Sequence, residues 1–256
     1  MATEPIVFYD IPSRAPGSAM SGNTWITRYS LNFKGLAFKT MWVEIPDIGD
    51  LCKKIGAAPS AINEDGSPYY TLPVIQDPNT GAVIADSLKI ASYLDETYPD
   101  TPRLLPPGTR ALQKGFRAGV EASAVPGSLA FMLPAMVQIL RPRSAEYFVR
   151  TREASLGHKL SELSPTSETR EAAWRKFESG FGKVSSWMDD DGVFFMGDTA
   201  SLADFAVAGI MQWFRSVLGR ESAEWKDIER WHGGRWAKLV SALQKYEGPV
   251  EKGPQD

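Results

Sequence analysis

The feature that most constrains the fold of this chain is a change of pattern about 100 residues from its start. Short β-rich runs alternate with helical patterns as far as Tyr98, whereas no convincing strand pattern follows residue 108. Between them, PDTPRLLPPG (99–108) holds four prolines, too many for a helix or a sheet. We therefore predict one domain at 1–98, a linker at 99–108, a second domain at 109–248 and a frayed tail at 249–256.

The first domain shows an order of strand, helix, strand, helix, hairpin and helix. The predicted strands are 6–9, 38–43, 72–77 and 82–85, with a Pro-Asn-Thr-Gly turn at 78–81, and the predicted helices are 23–33, 46–56 and 87–98. This order is the thioredoxin-like arrangement. The second domain is predicted to be an all-α bundle with helices near 109–140, 144–163, 166–189, 201–218 and 224–245.

Composition excludes several classes of protein. The net charge is only −3, so nucleic acid is not expected as a partner. The single cysteine, Cys52, forms no intrachain disulfide, which favours a reducing, cytoplasmic location. His158 and His232 stand alone on helical patterns, so no metal site is expected.

No membrane association is expected either. The first fourteen residues contain Glu4 and reach Pro12 without the long apolar run of a secretory leader. We also expect no later segment that is apolar for long enough to cross a bilayer.

The Leu72-Pro73-Val74 segment starts the hairpin of the first domain. In the thioredoxin-like arrangement one proline at this point is typically cis, and a cis bond turns the chain sharply. We expect this turn to leave the backbone N–H and C=O of Val74 free for a ligand with its own peptide bond. A cysteinyl peptide such as glutathione fits, although an ordinary edge strand is the alternative interpretation.

Asp86 and Ser87 stand where the second hairpin strand gives way to a helix. Free N–H groups and the positive end of the helix dipole favour a ligand α-carboxylate there. Ser87 would add a hydroxyl donor, and Asp86 would accept from a ligand ammonium. Taken alone, such a pair is more often a simple helix cap.

These motifs together resemble the glutathione transferase superfamily. The segment TLPVI (71–75) is followed after about a dozen residues by ADS (85–87), and GDTASLADF (197–205) resembles the superfamily's capping box, with Ser201 and Asp204 three residues apart. A finer resemblance is to fungal Fu-type transferases, which are related to bacterial lignin β-etherases. It is carried by SGNTWITRYSLNFKGL (21–36), CKKIGA (52–57) and the segment from YTLPVI to IASYLDETYPDTPRL.

The resemblance implies a hydroxyl donor that stabilises the glutathione thiolate near the start of the first helix. Serine-type transferases place a serine in this loop, which favours Ser21, with Asn23 as a second donor. The alternative is that Ser21 or Asn23 only caps the helix. Tyr9, Ser13 and Ser18 are weaker candidates, and Cys52 lies too far along the chain for cysteine-type chemistry.

The family geometry also suggests residues at the two ends of the site. Lys53 and Lys54 would meet the glycine carboxylate of glutathione, unless they form a solvated helix face. The second substrate would lie between the domains, where apolar side chains suit a planar, hydrophobic molecule. The candidates for this lining are Phe116, Phe131, Met132, Met136 and Trp213.

The resemblance implies an enzyme that conjugates glutathione to hydrophobic or aromatic electrophiles in detoxification, with etherase-like cleavage as a variant. The alternative is a ligandin-type protein that binds aromatic or polyphenolic compounds with little turnover. Its long loop at 10–22, rich in Gly and Pro, would then shape a ligand pocket. A homodimer is expected from the family.

Overall fold

A four-stranded sheet forms the centre of the N-terminal half in the computed structural model, which describes residues 4–189, 192–250 and 253. This half has six strands in chain order: β1 (Ile6–Asp10), β2 (Phe38–Trp42), β3 (Ala61–Ile62), β4 (Pro68–Tyr69), β5 (Val74–Asp77) and β6 (Ala82–Ala85). Four of them form the central sheet, and β3 and β4 form a separate hairpin. The sheet has the order β2-β1-β5-β6, with β1 parallel to β2 and antiparallel to β5. Of the predicted tail, residues 251, 252 and 254–256 lie outside the described part.

Three helices cover the two faces of this sheet: α1 (Gly22–Phe33), α2 (Ile48–Ile55) and α3 (Ser87–Thr97). Successive side chains of a strand point to opposite faces. Phe8 accordingly packs in the core beside α1 and α3, and the adjacent Tyr9 packs with Val74 against α2. The predicted thioredoxin-like domain is confirmed.

The C-terminal half is helical, as predicted. Its helices are α4 (Arg110–Ile139), α5 (Pro142–Leu156), α6 (Ser167–Ser185), α7 (Leu202–Leu218), α8 (Ala223–Ile228) and α9 (Trp231–Leu243). The single helix predicted at 224–245 is wrong, because the chain breaks between α8 and α9 and because His232, Gly233 and Gly234 have positive φ angles. The Gly233-Gly234 pair in the sequence is a signal of such a break, but the prediction followed the apolar spacing of Trp225, Ile228 and Trp231, which are buried.

Helix α4 corrects the expectation that no segment is apolar enough to cross a bilayer. By length and composition it passes that test, with a mean hydropathy of 1.4 over an 18-residue window. It runs unbroken through Pro126 and Pro134 and packs against α5, α6 and α7. About 33% of that window is buried, and other apolar side chains of α4, such as Leu133 and Met136, line the cavity.

A small hairpin of β3 and β4 was not predicted from the sequence. It spans residues 61–69 and turns through Asn63, whose backbone N–H donates to Ser67 at 2.8 Å. Each strand has only two residues, too short for an alternating pattern to be recognised. The hairpin matters because Asn63, Ser67, Pro68 and Tyr69 border the main cavity.

Helices α1 and α7 join the two halves of the molecule. The rings of Tyr29 and Phe205 stack with centroids 5.7 Å apart. At the start of α1, Gly22 faces Gly209 so closely that a Cβ on Gly209 would lie 2.4 Å from the Gly22 carbonyl oxygen. This contact sets the position of the residues next to Gly22.

Candidate functional site

A cavity of about 1000 Å³ lies between the two halves of the molecule. Its N-terminal wall comes from the mouth of α1, from α2 and from the segment that leads into β5. Its other wall comes from α4, α5 and α7. Polar side chains gather on the first wall and at the N-terminal part of α4. Apolar and aromatic side chains line most of the rest, with Thr151 and Arg152 of α5 as polar exceptions.

Ser21 stands at the mouth of α1 and lines the cavity. Its extended backbone makes it the N-cap, and its carbonyl accepts from the Trp25 N–H at 3.0 Å and from the Thr24 hydroxyl at 2.9 Å. Its own hydroxyl makes no capping hydrogen bond. The Ser21 hydroxyl is therefore available to a group in the cavity, as is the NH₂ group of the exposed Asn23 side chain beside it.

The weaker hydroxyl candidates lie outside the cavity lining. Tyr9 is buried, donates to Gln76, and has a pKa raised by burial and by nearby Cys52. Ser13 donates to the Ser18 carbonyl at 2.7 Å, and the Ser18 hydroxyl accepts from Gly253 at 2.9 Å.

Cys52 is fully buried between α2 and the sheet. Burial raises the pKa of its thiol, because the thiolate is poorly solvated there. A buried thiol with a raised pKa is a poor nucleophile, which agrees with the prediction that Cys52 does not take part in cysteine-type chemistry.

The Leu72-Pro73 bond is cis. Val74, however, is paired on both sides, with Tyr9 of β1 and with Ala85 of β6, and it does not line the cavity. The residue that lines it is Leu72, which precedes the proline and stays outside the sheet ladder. The peptide group predicted to be free at Val74 lies within the sheet, and Leu72, just before the proline, borders the cavity instead.

Asp86 is the N-cap of α3, with a positive φ of 82°. One of its carboxylate oxygens accepts from the Leu88 and Lys89 amides at 3.0 and 3.1 Å, so two of the helix amides predicted to hold a ligand carboxylate are already used. Ser87 is only 2 % exposed and borders a small pocket beside the main cavity. What remains for a ligand at this end is the Ser87 hydroxyl and the groups around it.

Arg117 of α4 is a site residue that no sequence motif indicated. Its guanidinium donates to the Ser87 hydroxyl, to Asn23 Oδ1 at 3.1 Å and to Glu121 at 2.8 Å. It lines both the main cavity and the small pocket. Only the Arg-to-Glu spacing of four is visible in the sequence, since Asn23 and Ser87 lie 94 and 30 residues away.

Of the two lysines predicted to bind the glycine end of glutathione, only Lys53 lies at the cavity. Lys53 lines the cavity and forms a loose ion pair with Asp50 at 3.4 Å. Lys54 is exposed and is not part of the lining. Adjacent residues of a helix point about 100° apart, so only one of them can face the cavity.

The predicted apolar lining is also divided. Met136 and Trp213 line the cavity, together with Tyr69, Tyr70, Tyr147 and Phe148, which were not predicted. Phe116, Phe131 and Met132 lie outside the lining. Phe116 packs on Trp187 and Phe195, Phe131 packs on Trp174 and Phe177, and Met132 is fully buried. Both faces of α4 are apolar, so the sequence does not identify the one that faces the cavity.

The histidines stand apart from the cavity lining. His158 is exposed, and His232 accepts from Trp236 Nε1 at 2.9 Å. Among the described residues, no group of three or more His, Cys, Asp or Glu side chains could hold a metal ion.

Comparison with known proteins agrees with this architecture. Residues 20–97 match the family model "Glutathione S-transferase, N-terminal domain", and residues 111–246 match "Glutathione S-transferase, C-terminal domain". The chain is 32% identical to the glutathione S-transferase-like protein ustS of Aspergillus flavus, over 97% of this chain and 93% of that protein.

Two solved fungal structures are similar over nearly the whole chain. A glutathione S-transferase of Ceriporiopsis subvermispora in complex with glutathione is 50% identical, covers 95% of this chain and 98% of its own, and has a TM-score of 0.92. The glutathione transferase GSTFuA3 of Phanerochaete chrysosporium is 46% identical, with coverages of 96% and 98% and a TM-score of 0.90.

Proposed function

This chain belongs to the glutathione S-transferase family, and from that premise we propose that it conjugates glutathione to hydrophobic or aromatic electrophiles in detoxification. The resemblance to fungal Fu-type transferases is confirmed by the similar fungal structures. The observation that carries the proposal is the shared cavity. Ser21, Asn23 and Leu72 line one wall, and the other carries apolar side chains together with the rings of Tyr147, Phe148 and Trp213.

The thiolate of glutathione would lie beside Ser21. A hydroxyl that donates to sulfur stabilises the charged form and lowers the pKa of the thiol. The sulfur then attacks an electrophilic carbon, and the electron pair of the broken bond leaves with the departing group. The uncommitted hydroxyl of Ser21 supports this role, and Asn23 would supply a second donor.

The remaining groups of glutathione have partners along the same wall. The backbone of Leu72 would pair with the cysteinyl unit, in place of Val74, with cis-Pro73 setting the turn. Lys53 would meet the glycine carboxylate. Asp86 and Ser87 would face the glutamyl end, where Asp86 has one carboxylate oxygen that caps no amide.

The second substrate would occupy the apolar part of the cavity. Met136 adapts to irregular shapes, and Trp213, Tyr70 and Tyr147 offer ring faces or edges to a planar molecule. This lining favours aromatic electrophiles, including activated aryl ethers, whose cleavage by the thiolate would give etherase-like activity.

The Ser21→Ala variant tests the catalytic role. Loss of one hydrogen bond to a charged group, about 1.5–3 kcal/mol, should raise the pKa of the bound thiol by roughly one to two units. The pH dependence of kcat/KM with a panel of electrophiles measures this shift, and glutathione affinity is measured alongside. Ser18→Ala is the matched control. Equal profiles for Ser21→Ala and the wild type would refute the assignment.

A ligandin-type role is the second candidate, and the size and aromatic wall of the cavity favour it. Such a protein would hold polyphenolic compounds beside glutathione with little turnover. Competition by phenolic compounds against a fluorescent apolar probe tests this role. No displacement at high phenolic concentration would count against it.

We further propose that the protein is a homodimer and that it acts in the cytoplasm. The lone, buried Cys52 suits a reducing compartment. Light scattering at micromolar concentration tests the assembly, and a mass equal to a single chain would contradict it.

A further inference from the structure

Arg117 makes contacts with two different parts of the proposed glutathione site. One terminal nitrogen donates to Ser87 at the start of α3, and the other donates to Asn23 at the start of α1, at 3.1 Å. Its side chain is 23 % exposed, so the guanidinium is partly shielded from water. Through these two hydrogen bonds, the Arg117 guanidinium links the N-terminus of α1 to the N-terminus of α3.

The chemistry of the guanidinium decides how both partners are oriented. Arginine has five N–H donors and no acceptor, so each partner must present an oxygen as an acceptor. Asn23 therefore turns Oδ1 toward Arg117, which leaves its NH₂ group free as a donor. The Ser87 oxygen likewise accepts, which leaves its O–H free to donate elsewhere.

Arg117 supplies a positive charge at this end of the cavity. Glu121 pairs with Nε of Arg117 at 2.8 Å, but its side chain is 49 % exposed and solvent screens much of its charge. Asp86 already caps the Leu88 and Lys89 amides of α3. Arg117 is thus the cationic group nearest to the Ser87 hydroxyl among the contacts described at this end of the cavity.

We infer that Arg117 is a positioning residue that orients Asn23 and Ser87 as donors toward the two anionic groups of glutathione, the thiolate and the glutamyl α-carboxylate. This inference rests on the proposed function and adds a residue to it. A lysine would replace Arg117 only in part, because one ammonium group keeps the charge but does not reproduce the fixed fork that spans both partners.

Arg117→Gln tests the carboxylate end by comparing two ligands. Calorimetry would measure the binding of glutathione and of 4-aminobutanoyl-cysteinylglycine, which lacks only the α-carboxylate. We expect the wild type to prefer glutathione by roughly 10- to 100-fold, as a charged hydrogen bond implies. The variant should retain less than about a threefold preference, with Arg117→Lys in between.

Arg110→Gln is the matched control. Arg110 also lies on α4 and donates to a serine of α3, Ser92, at 3.0 Å, but it is outside the cavity lining. It should keep the full preference. If Arg117→Gln also kept it, the inference would be overturned while the proposed function stood. A wild type that bound neither peptide would overturn both.

Asn23→Asp tests the thiolate end. An aspartate still accepts from Arg117 but has no NH₂ to offer to sulfur. Its charge also opposes the thiolate, so the pH profile of kcat/KM should move to higher pH than that of the wild type. Arg117→Gln should move the profile in the same direction, and Arg110→Gln should not. An unchanged profile in both Asn23→Asp and Arg117→Gln would refute the orienting role, and melting curves establish that each variant is folded.

Discussion

At the scale of single residues, the least expected feature is a charged side chain in the middle of the N-terminal core. Arg28 of α1 is fully buried, and its Nη2 donates to buried Asp10 at 2.8 Å. The rings of Phe8, Trp25, Phe38 and Trp42 surround the guanidinium within about 6 Å. Arginine suits such a place because its flat cation stacks on aromatic faces and holds its charge.

Arg28→Met should destabilise the protein strongly, because it leaves the buried charge of Asp10 unpaired. Removal of one partner of a buried pair costs about 3–5 kcal/mol. Urea unfolding measures the loss, and Arg175→Gln is the control, since Arg175 pairs with Glu171 on an exposed surface where less than about 1 kcal/mol is expected. Similar losses for the two variants would contradict the importance of burial.

At the scale of elements, the contact between α1 and α7 joins packing to the candidate site. Gly22 directly follows Ser21 and directly precedes Asn23, and it touches Gly209 of α7 backbone to backbone. A side chain at either position would push the helices apart. The same contact that packs the two halves therefore places the proposed thiolate donors.

Gly209→Ala should lower both stability and glutathione affinity, because its Cβ would lie 2.4 Å from the Gly22 carbonyl oxygen. Gly180→Ala is the matched control. Its Cβ would lie 2.2 Å from the Ser123 oxygen, between α6 and α4, away from Ser21. We expect a loss of stability in both variants, seen by thermal melting, and a loss of affinity in the first alone. If folded Gly209→Ala kept the glutathione affinity of the wild type, the Gly22–Gly209 contact would not be what positions Ser21 and Asn23.

The start of α7 carries the predicted capping box, and the structure confirms it. Asp204 accepts from the Ser201 N–H at 2.8 Å, from the Ser201 hydroxyl at 3.0 Å and from the Phe195 N–H at 2.9 Å. Burial nevertheless raises the pKa of this carboxyl to about 6. The hydrogen bonds only partly offset the cost of burying the charge.

Asp204 should make stability depend on pH between about 4 and 6. A carboxyl with a raised pKa binds its proton more tightly in the folded state than in the unfolded state. Proton binding by Asp204 therefore adds fully to the free energy of unfolding below about pH 4, and this addition is lost as pH rises through about 6. The wild type should lose roughly 2–3 kcal/mol relative to Asp204→Asn over this range. Chemical denaturation at a series of pH values measures the difference.

Ser222→Ala is the control for Asp204→Asn. The Ser222 hydroxyl caps α8 by accepting from the Trp225 N–H at 3.0 Å, but it does not titrate. Its loss should cost about 1 kcal/mol at every pH. A pH-independent difference between the wild type and Asp204→Asn would mean that the carboxyl keeps its usual pKa.

At the scale of the whole molecule, the cavity belongs to both halves. Ser21, Lys53 and Leu72 come from one half, and Arg117, Met136 and Trp213 come from the other. A ligand that binds both walls stabilises the two halves together, because it binds only when both are folded and in place.

Glutathione should raise the melting temperature of the entire chain in a single transition. At 100 times its Kd, a ligand adds about 2.7 kcal/mol, which corresponds to a shift of roughly 5–10 °C for a chain of this size. Differential scanning calorimetry measures the shift, and cysteinylglycine, which lacks the glutamyl group, is the control ligand. Stabilisation of one half alone, seen as two separated transitions, would contradict the shared site.

The elements and the motifs within them were predictable because they depend on neighbours in sequence. Turn residues, helix caps and periodic apolar positions act over three or four residues. The order of the elements along the chain, the hairpin at Pro73 and the box at Ser201 and Asp204 were therefore predictable. The hairpin at 61–69 escaped because its two-residue strands have no period.

What the sequence by itself determined is the order of the elements, the family and the loop that holds Ser21. Only the tertiary structure decided which side chains share the cavity. In the folded chain Leu72 lines the cavity and Val74 does not, because Val74 is paired in the sheet. Met136 and Trp213 also line it, whereas Phe131 does not. Arg117 contacts Asn23, which is 94 residues away in the sequence. Local preferences act along the chain, whereas a site is assembled by long-range packing, and no short-range pattern records which faces will meet.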